Sequence, residues 1–98
     1  MVLFRPYLTD FLFELSQHFE IVIFTAALQD YADYILDKID PDGSLIAHRL
    51  YRQHTTQRES DGVFIKDLSR IGRDLRKTII VDNVKENFCL QQENGIFI

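Results

Sequence analysis

The sequence predicts an α/β fold with a mainly parallel sheet and flanking helices. Three observations predict it. Ile79-Ile80-Val81 is a run of β-branched residues that ends in Asp82-Asn83, which reads as a covered strand with polar groups at its carboxyl end. A second apolar run, Ile21-Val22-Ile23-Phe24, ends in the hydroxyl of Thr25. Between and around such runs lie segments whose apolar residues recur at helical spacing, and strands alternating with helices favour parallel pairing.

Taken in order, Val2–Phe4 is a short apolar run that reads as a strand end. Pro6 suits the first turn of a helix. Leu8, Phe11, Leu12, Leu15 and Phe19 follow helical spacing, so residues 6–18 are predicted to form an amphipathic helix. Residues 19–24 read as a strand. Leu28, Tyr31, Ala32, Ile35, Leu36 and Ile39 again fit the helical template, predicting a helix from about Gln29 to Ile39. Asp40-Pro41-Asp42-Gly43 ends it as a turn. Residues 45–51 form a predicted strand, and residues 52–62 a polar stretch closing at Asp61-Gly62. Val63-Phe64-Ile65 runs as a short strand into Lys66. Residues 67–77 carry mixed charge and one Gly, which suits a loop or short helix. Residues 78–81 are the clearest strand, 83–95 are irregular or partly helical, and Ile96-Phe97-Ile98 begins another strand.

With 98 residues, the chain supports one domain at most, and its core is expected to be small. No apolar run approaches the roughly 20 residues of a membrane span. Met1-Val2-Leu3-Phe4-Arg5 is too short for a signal peptide. Cys89 is the single cysteine, so no internal disulfide can form, which favours a reducing, intracellular setting. Net charge is −4 but unevenly spread: residues 10–44 carry −7 and residues 45–77 carry +4. These parts read either as a pair of solvated faces or, for the basic one, as a local field that attracts an anionic substrate. Direct nucleic-acid binding is disfavoured, since the overall balance is acidic and the basic residues lack interleaved aromatics. His18, His48 and His54 show no metal-ligand spacing.

Ligands of open α/β sheets bind beyond the carboxyl ends of the strands. At such ends stand the hydroxyl of Thr25, the ammonium of Lys66 and the acid-amide pair Asp82-Asn83. Asp and Asn offer hard oxygens suited to Mg2+. Together these groups suit a phosphoryl group held beside a metal ion.

Four segments then form a familiar series: Phe24-Thr25-Ala26-Ala27-Leu28, Tyr31-Ala32-Asp33, Lys66-Asp67-Leu68-Ser69-Arg70-Ile71-Gly72-Arg73-Asp74-Leu75 and Ile79-Ile80-Val81-Asp82-Asn83. The chain closely resembles the small phosphatases of the RNA polymerase II C-terminal domain, the NLI-interacting-factor-like family of the haloacid dehalogenase superfamily. The resemblance runs from Arg5-Pro6 to about Asn94-Gly95. It implies a Rossmann-like, haloacid dehalogenase-type sheet and a Mg2+-dependent protein serine/threonine phosphatase working through an aspartyl-phosphate. It implies that Thr25 hydrogen-bonds a phosphoryl oxygen and that Lys66 balances charge on nucleophile and phosphate. Asn83 would be a direct Mg2+ ligand, with Asp82 supporting the metal and Lys66. Leu28, Tyr31 and Arg52 match positions that shape the peptide-substrate site. The implied partner is a phosphorylated protein or peptide, in the nucleus or cytoplasm.

The family's first motif, an apolar strand followed by Asp-x-Asp-x-Thr, is expected upstream of Arg5-Pro6. The nucleophile and the acid/base are therefore expected outside these residues. Residues 1–98 read as a single partial phosphatase-like domain, incomplete at both ends and inactive alone. Ala27 stands where many relatives have Ser, and Val84-Lys85 replaces the usual Ser-Pro. Asp40-Pro41-Asp42-Gly43-Ser44 mimics Asp-x-Asp-x-Ser, but it follows a helix and its Pro and Gly mark a turn. Two alternatives compete. One is a binding module that kept the fold without the chemistry, such as a phosphatase-like subunit of the mitochondrial import machinery. The other, a signalling receiver domain, fits poorly because Thr25 and Lys66 precede Asp82.

Overall fold

In the computed structural model, residues 3–98 are described. Val2, part of the predicted first strand, lies outside them, and Leu3 and Phe4 are not in a strand. The chain forms two compact units, Met1–Arg52 and Gln53–Ile98.

The first unit holds helix α1 (Leu8–Ser16), strand β1 (Val22–Phe24), helix α2 (Gln29–Ile39) and strand β2 (His48–Leu50). Helix α1 is shorter than the predicted 6–18. Tyr7 adopts φ +66°, a left-handed conformation that stops the helix from reaching back to Pro6. At the other end Phe19 N–H bonds back to Leu15 O at 2.9 Å. That bond closes the helix and delays β1 from the predicted Phe19 to Val22.

Helix α2 has the predicted bounds. Ala32 and Leu36 are buried, with Ile35 and Ile39 half-buried, which gives the i, i+3, i+4, i+7 stripe that packs a helix onto a sheet. Asp30 in its first turn and Lys38 in its last complement the helix dipole. The turn after it is stapled by Asp40, which is 2% exposed. Its carboxylate accepts from the Leu45 amide (3.2 Å) and the Ile46 amide (2.8 Å). Those amides are unavailable to a strand, so β2 begins at His48 rather than the predicted Leu45. Gly43, at φ +70°, takes the left-handed turn position that residues with a Cβ avoid. The Asp-x-Asp-x-Ser look-alike is thus a turn, as expected.

Strands β1 and β2 pair in parallel, Val22 opposite His48 and Phe24 opposite Leu50. Ala32, Leu36, Ile46 and Tyr51 form the core of this unit, flanked by Ile21, Ile23, Ala27 and Ile39. Asp33 ties α2 to β2, accepting from Arg49 Nη1 at 3.0 Å and from the Tyr51 hydroxyl at 2.5 Å.

The second unit contains β3 (Thr56–Gln57), β4 (Phe64–Ile65), β5 (Ile80–Asp82) and β6 (Gly95–Phe97). Strands β3 and β4 form an antiparallel hairpin that the sequence did not signal, because Thr56 and Gln57 are polar and exposed. Strands β5 and β6 pair in parallel, Ile80 opposite Gly95. Two of the three described pairs are therefore parallel, as expected. Strand β5 starts at Ile80, two residues after the predicted Thr78. Thr78 is held in the preceding turn, its hydroxyl donating to Asp74 O at 2.8 Å.

Residues Lys85–Asn94 form a 3-10 segment kinked at Phe88 and Gln91. Two further 3-10 turns, Leu68–Arg70 and Leu75–Lys77, are capped by the side chains of Asp67 and Asp74. Leu68, Ile80 and Phe88 make the core of this unit, with Ile71 and Leu75 against it.

Candidate functional site

In the second unit, Lys66 follows β4 and Asp82 ends β5. Lys66 Nζ lies 2.6 Å from Asp82 Oδ2, and the two residues are only 9% and 6% exposed. A lysine and an aspartate are rarely this buried unless they pair. Asp82 is further satisfied: Oδ1 accepts from the Val84 amide at 2.9 Å, and Asn87 Nδ2 donates to both oxygens at 3.3 Å. Burial pushes the Asp82 carboxyl up, but the Lys66 ammonium and the Val84 and Asn87 donors outweigh it. The net displacement is below the usual carboxylate value, so Asp82 is an anion at neutral pH.

Asn83, one residue on, is exposed. The structure thus brings three of the predicted residues, Lys66, Asp82 and Asn83, to the carboxyl end of β5. The loop holding Lys66 is fixed from the 3-10 segment. Lys66 N–H donates to Asn87 O at 2.8 Å. Gln91 accepts from the Leu68 amide and donates to Asp67 Oδ1, each at 2.9 Å. Ser69 supplies two further donors to Asp67, which with Gln91 overcome burial and hold its carboxyl low. Asn87 and Gln91 were missed from sequence; both lie in a kinked 3-10 segment, which the sequence marked only as irregular or partly helical.

In the first unit, Thr25 stands at the carboxyl end of β1. Its amide donates to Leu50 O at 2.9 Å, and its Oγ1 accepts from the Ala27 amide at 3.0 Å. The Thr25 hydroxyl donates to no acceptor among the described residues, so its proton is available. Arg52 closes the same loop: Nε donates to Ala26 O at 2.7 Å and its amide to Ala27 O at 3.1 Å. Leu28 caps the start of α2 and is 60% exposed; Tyr31, one turn on, is 59% exposed. Thr25, Leu28 and Arg52 thus share one loop and strand end. Tyr31, in the first turn of α2, is exposed rather than in the core where helical spacing alone would have put it.

For a metal ion, the donor set is partial. No group of three or more His, Cys, Asp or Glu side chains converges among the described residues. Each Asp82 oxygen already accepts two hydrogen bonds, while the exposed Asn83 carboxamide makes none among the described residues. Mg2+ keeps several waters and takes oxygen from one or two protein groups and a phosphate. An exposed amide oxygen beside a buried anion fits one such contribution. No helix among the described residues is long and apolar enough to cross a membrane.

The family model for NLI interacting factor-like phosphatases matches residues 1–98. A probable C-terminal domain small phosphatase of Dictyostelium discoideum is 47% identical over 92 residues, 94% of this chain and 29% of the relative. The human carboxy-terminal domain RNA polymerase II polypeptide A small phosphatase 2 is 44% identical over 95 residues, covering 97% of this chain and 34% of the relative. The mitochondrial import inner membrane translocase subunit TIM50 of Kluyveromyces lactis is 43% identical over 94 residues, 96% of this chain and 19% of the relative. The chain therefore spans about a third or less of the length of these relatives. Among solved structures, a variant of the fission yeast RNA polymerase II CTD phosphatase Fcp1 bound to beryllium fluoride superposes with a TM-score of 0.81 at 26% identity, over 98% of this chain and 25% of that one. The fold is accordingly the haloacid dehalogenase-type α/β fold that the sequence predicted.

Proposed function

The chain belongs to the NLI interacting factor-like phosphatase family, and on that premise we propose that it forms part of a Mg2+-dependent protein serine/threonine phosphatase working through an aspartyl-phosphate. The observation that carries this reading is the buried Lys66–Asp82 pair at the end of a parallel strand, with Asn83 exposed beside it. A scaffold has no need to bury an ion pair at a strand end, because apolar residues of similar volume serve stability as well or better.

In this reading Lys66 offsets the negative charge of nucleophile and phosphoryl group. Asp82 is held anionic and fixes the lysine. Thr25 donates its unspent hydroxyl proton to a phosphoryl oxygen. Asn83 would hold Mg2+ through its exposed carboxamide oxygen, and Asp82, its oxygens already engaged, would add negative charge to that site. When bound, the ion screens the repulsion between an attacking carboxylate and the phosphate. Leu28, Tyr31 and Arg52 shape the face that meets a phosphorylated protein or peptide. No nucleic acid enters the scheme. The attacking carboxylate and the acid/base belong to an Asp-x-Asp-x-Thr motif after a strand, which residues 1–98 do not contain. Residues 1–98 alone are thus one partial phosphatase-like domain without turnover.

A chimera tests this. The matching 95 residues of the human relative are replaced by this chain, and hydrolysis of an aryl phosphate and a phosphoserine peptide is followed with and without Mg2+. Mg2+-dependent turnover that Lys66→Ala abolishes is expected. A soluble, folded chimera without turnover refutes the assignment, and turnover by the isolated chain refutes its predicted inactivity.

The similarity to the import subunit favours a second reading, a binding module that retains the fold only. Binding of beryllium fluoride by the chimera without turnover would select it. Nucleus or cytoplasm goes with the first reading, the mitochondrion with the second.

A further inference from the structure

We propose that Asn87 is a positioning residue of this site: its carboxamide holds the Asp82 carboxylate, and through it the Lys66 ammonium, at the carboxyl end of β5. The proposal rests on the reading of Lys66 as the lysine that faces the phosphoryl group. The Cγ torsion of an aspartate is soft, and a single donor leaves the carboxylate plane free to turn. Apart from Asn87, Oδ1 is held by the Val84 amide and Oδ2 only by the lysine that the carboxylate has to place. Asn87 Nδ2 lies 3.3 Å from both oxygens, so its amide spans the carboxylate and fixes its plane. The same residue accepts the Lys66 backbone N–H at 2.8 Å, anchoring the other partner at its root. One side chain and one carbonyl thus tie together two residues sixteen positions apart in sequence.

A neutral amide suits the task. It satisfies the carboxylate without adding a charge that would compete with Lys66 for it. Its own backbone N–H is engaged separately, with Val84 O at 3.1 Å, so closing the turn does not require the carboxamide. Gln91, four residues on, makes the matching clamp on Asp67 and the Leu68 amide. The lysine-bearing loop is therefore held at two successive points from a single segment.

The test is nitrogen-15 NMR on the 98-residue chain. In the unsubstituted chain, the Asn87 side-chain amide protons should exchange with water at least ~10-fold more slowly than those of exposed Asn83, as bridging hydrogen bonds require. The Lys66 ammonium should give a protected signal. Asn87→Leu should abolish that signal while the methyl signals of Leu68 and Ile80 persist, and Asn87→Gln should restore it. Equal exchange at Asn87 and Asn83, or an unchanged Lys66 signal in Asn87→Leu, overturns the proposal. If Asn87→Leu does not fold, the exchange comparison in the unsubstituted chain decides alone. In the chimera described above, Asn87→Leu should lower kcat roughly 10-fold or more with KM unchanged, the size typical of supporting partners in active sites. An unsubstituted chimera without turnover would sink the phosphatase reading and leave the NMR result to judge the positioning role.

Discussion

Replacing Gly95 by Ala should destabilise the second unit through a single steric clash. Gly95 opens β6 opposite Ile80, and its φ of −96° is open to any residue, so backbone freedom is not the reason for glycine. Space is the reason. A Cβ at this position would stand 2.1 Å from Phe88 Cε2, 2.2 Å from Cδ2 and 2.9 Å from Cζ. Carbon atoms pack at about 3.5–4.0 Å, so the ring must retreat by about 1.4 Å or more. Phe88 is 5% exposed and packs with Leu68 and Ile80, so retreat disrupts the centre of that core. Overpacking of this kind costs about 1–3 kcal/mol, approaching the ~3–5 kcal/mol of losing a core Phe if the ring is expelled. At about 4–8 °C per kcal/mol for a chain of this size, the melting midpoint should fall by about 5–20 °C. Thermal unfolding followed by circular dichroism measures it. Phe88→Leu in the Ala background should recover part of the loss, because leucine lacks the far edge of the ring. The two substitutions should then be clearly non-additive. A midpoint within a degree or two of the original chain refutes the packing argument.

Lys66→Met leaves the Asp82 anion buried without its cation and should cost about 3–5 kcal/mol at pH 7 in urea unfolding. The folded Asp82 carboxyl lies below its ordinary value, so its contribution is present above about pH 4 and fades as pH falls through the lower folded value. Without the lysine, burial raises the variant's Asp82, so the gap between original and variant should begin to narrow above pH 4 and keep narrowing as pH falls; a pH-independent gap would contradict this account. Asp40→Ala strands the amides of Leu45 and Ile46 and should cost about 1–3 kcal/mol, with Asp40→Asn costing less because one acceptor oxygen remains; equal losses in both variants would discount the staple. The fork from Arg58 and the Val63 amide hold the Asp61 carboxyl at about 2. An NMR titration should find it there, and Arg58→Gln should return it toward 3.8. Because the folded value is the lower one, Asp61 supports folding above about pH 4 and loses that role as pH falls toward 2.

Much of the fold was legible because local and tertiary preferences agree. Helix α2 shows the clearest agreement: Ala32, Ile35, Leu36 and Ile39 repeat at helical spacing, and the same residues face the core. The parallel pairs follow from strands joined through helical crossovers. Boundaries failed where a side chain or turn claimed backbone groups. Asp40 took the amides that would have lengthened β2, Thr78 was tied to Asp74 O, and Tyr7 turned left-handed ahead of α1. The hairpin of β3 and β4 escaped notice because its outer strand is two polar residues held by pairing rather than burial. The 3-10 segment was opaque for another reason. Phe88, Gln91 and Asn94 recur every three residues, but the backbone leaves the helical region at Phe88 and Gln91, so a search for 3.6-residue spacing finds no continuous helix. All three face inward, Phe88 into the core, Gln91 onto Asp67 and Asn94 onto the carbonyls of Leu75 and Thr78. For the candidate site, strand ends announced Thr25, Lys66, Asp82 and Asn83. Asn87 lay in that unread segment.

The link from Asp82 to Gly95 comprises residues 83–94 only, near the shortest crossover that can join parallel strands, about a dozen residues. There is no slack in it. Grafting an epitope or a reporter there, or trimming a single amino acid, would drag β6 out of step with β5 and swing the amides of Asn87 and Gln91 away from their carboxylates. The exposed turn at residues 59–61, which closes a two-residue ribbon, carries no such crossover, and an engineer who lengthens this molecule there puts at risk only the Asp61 fork.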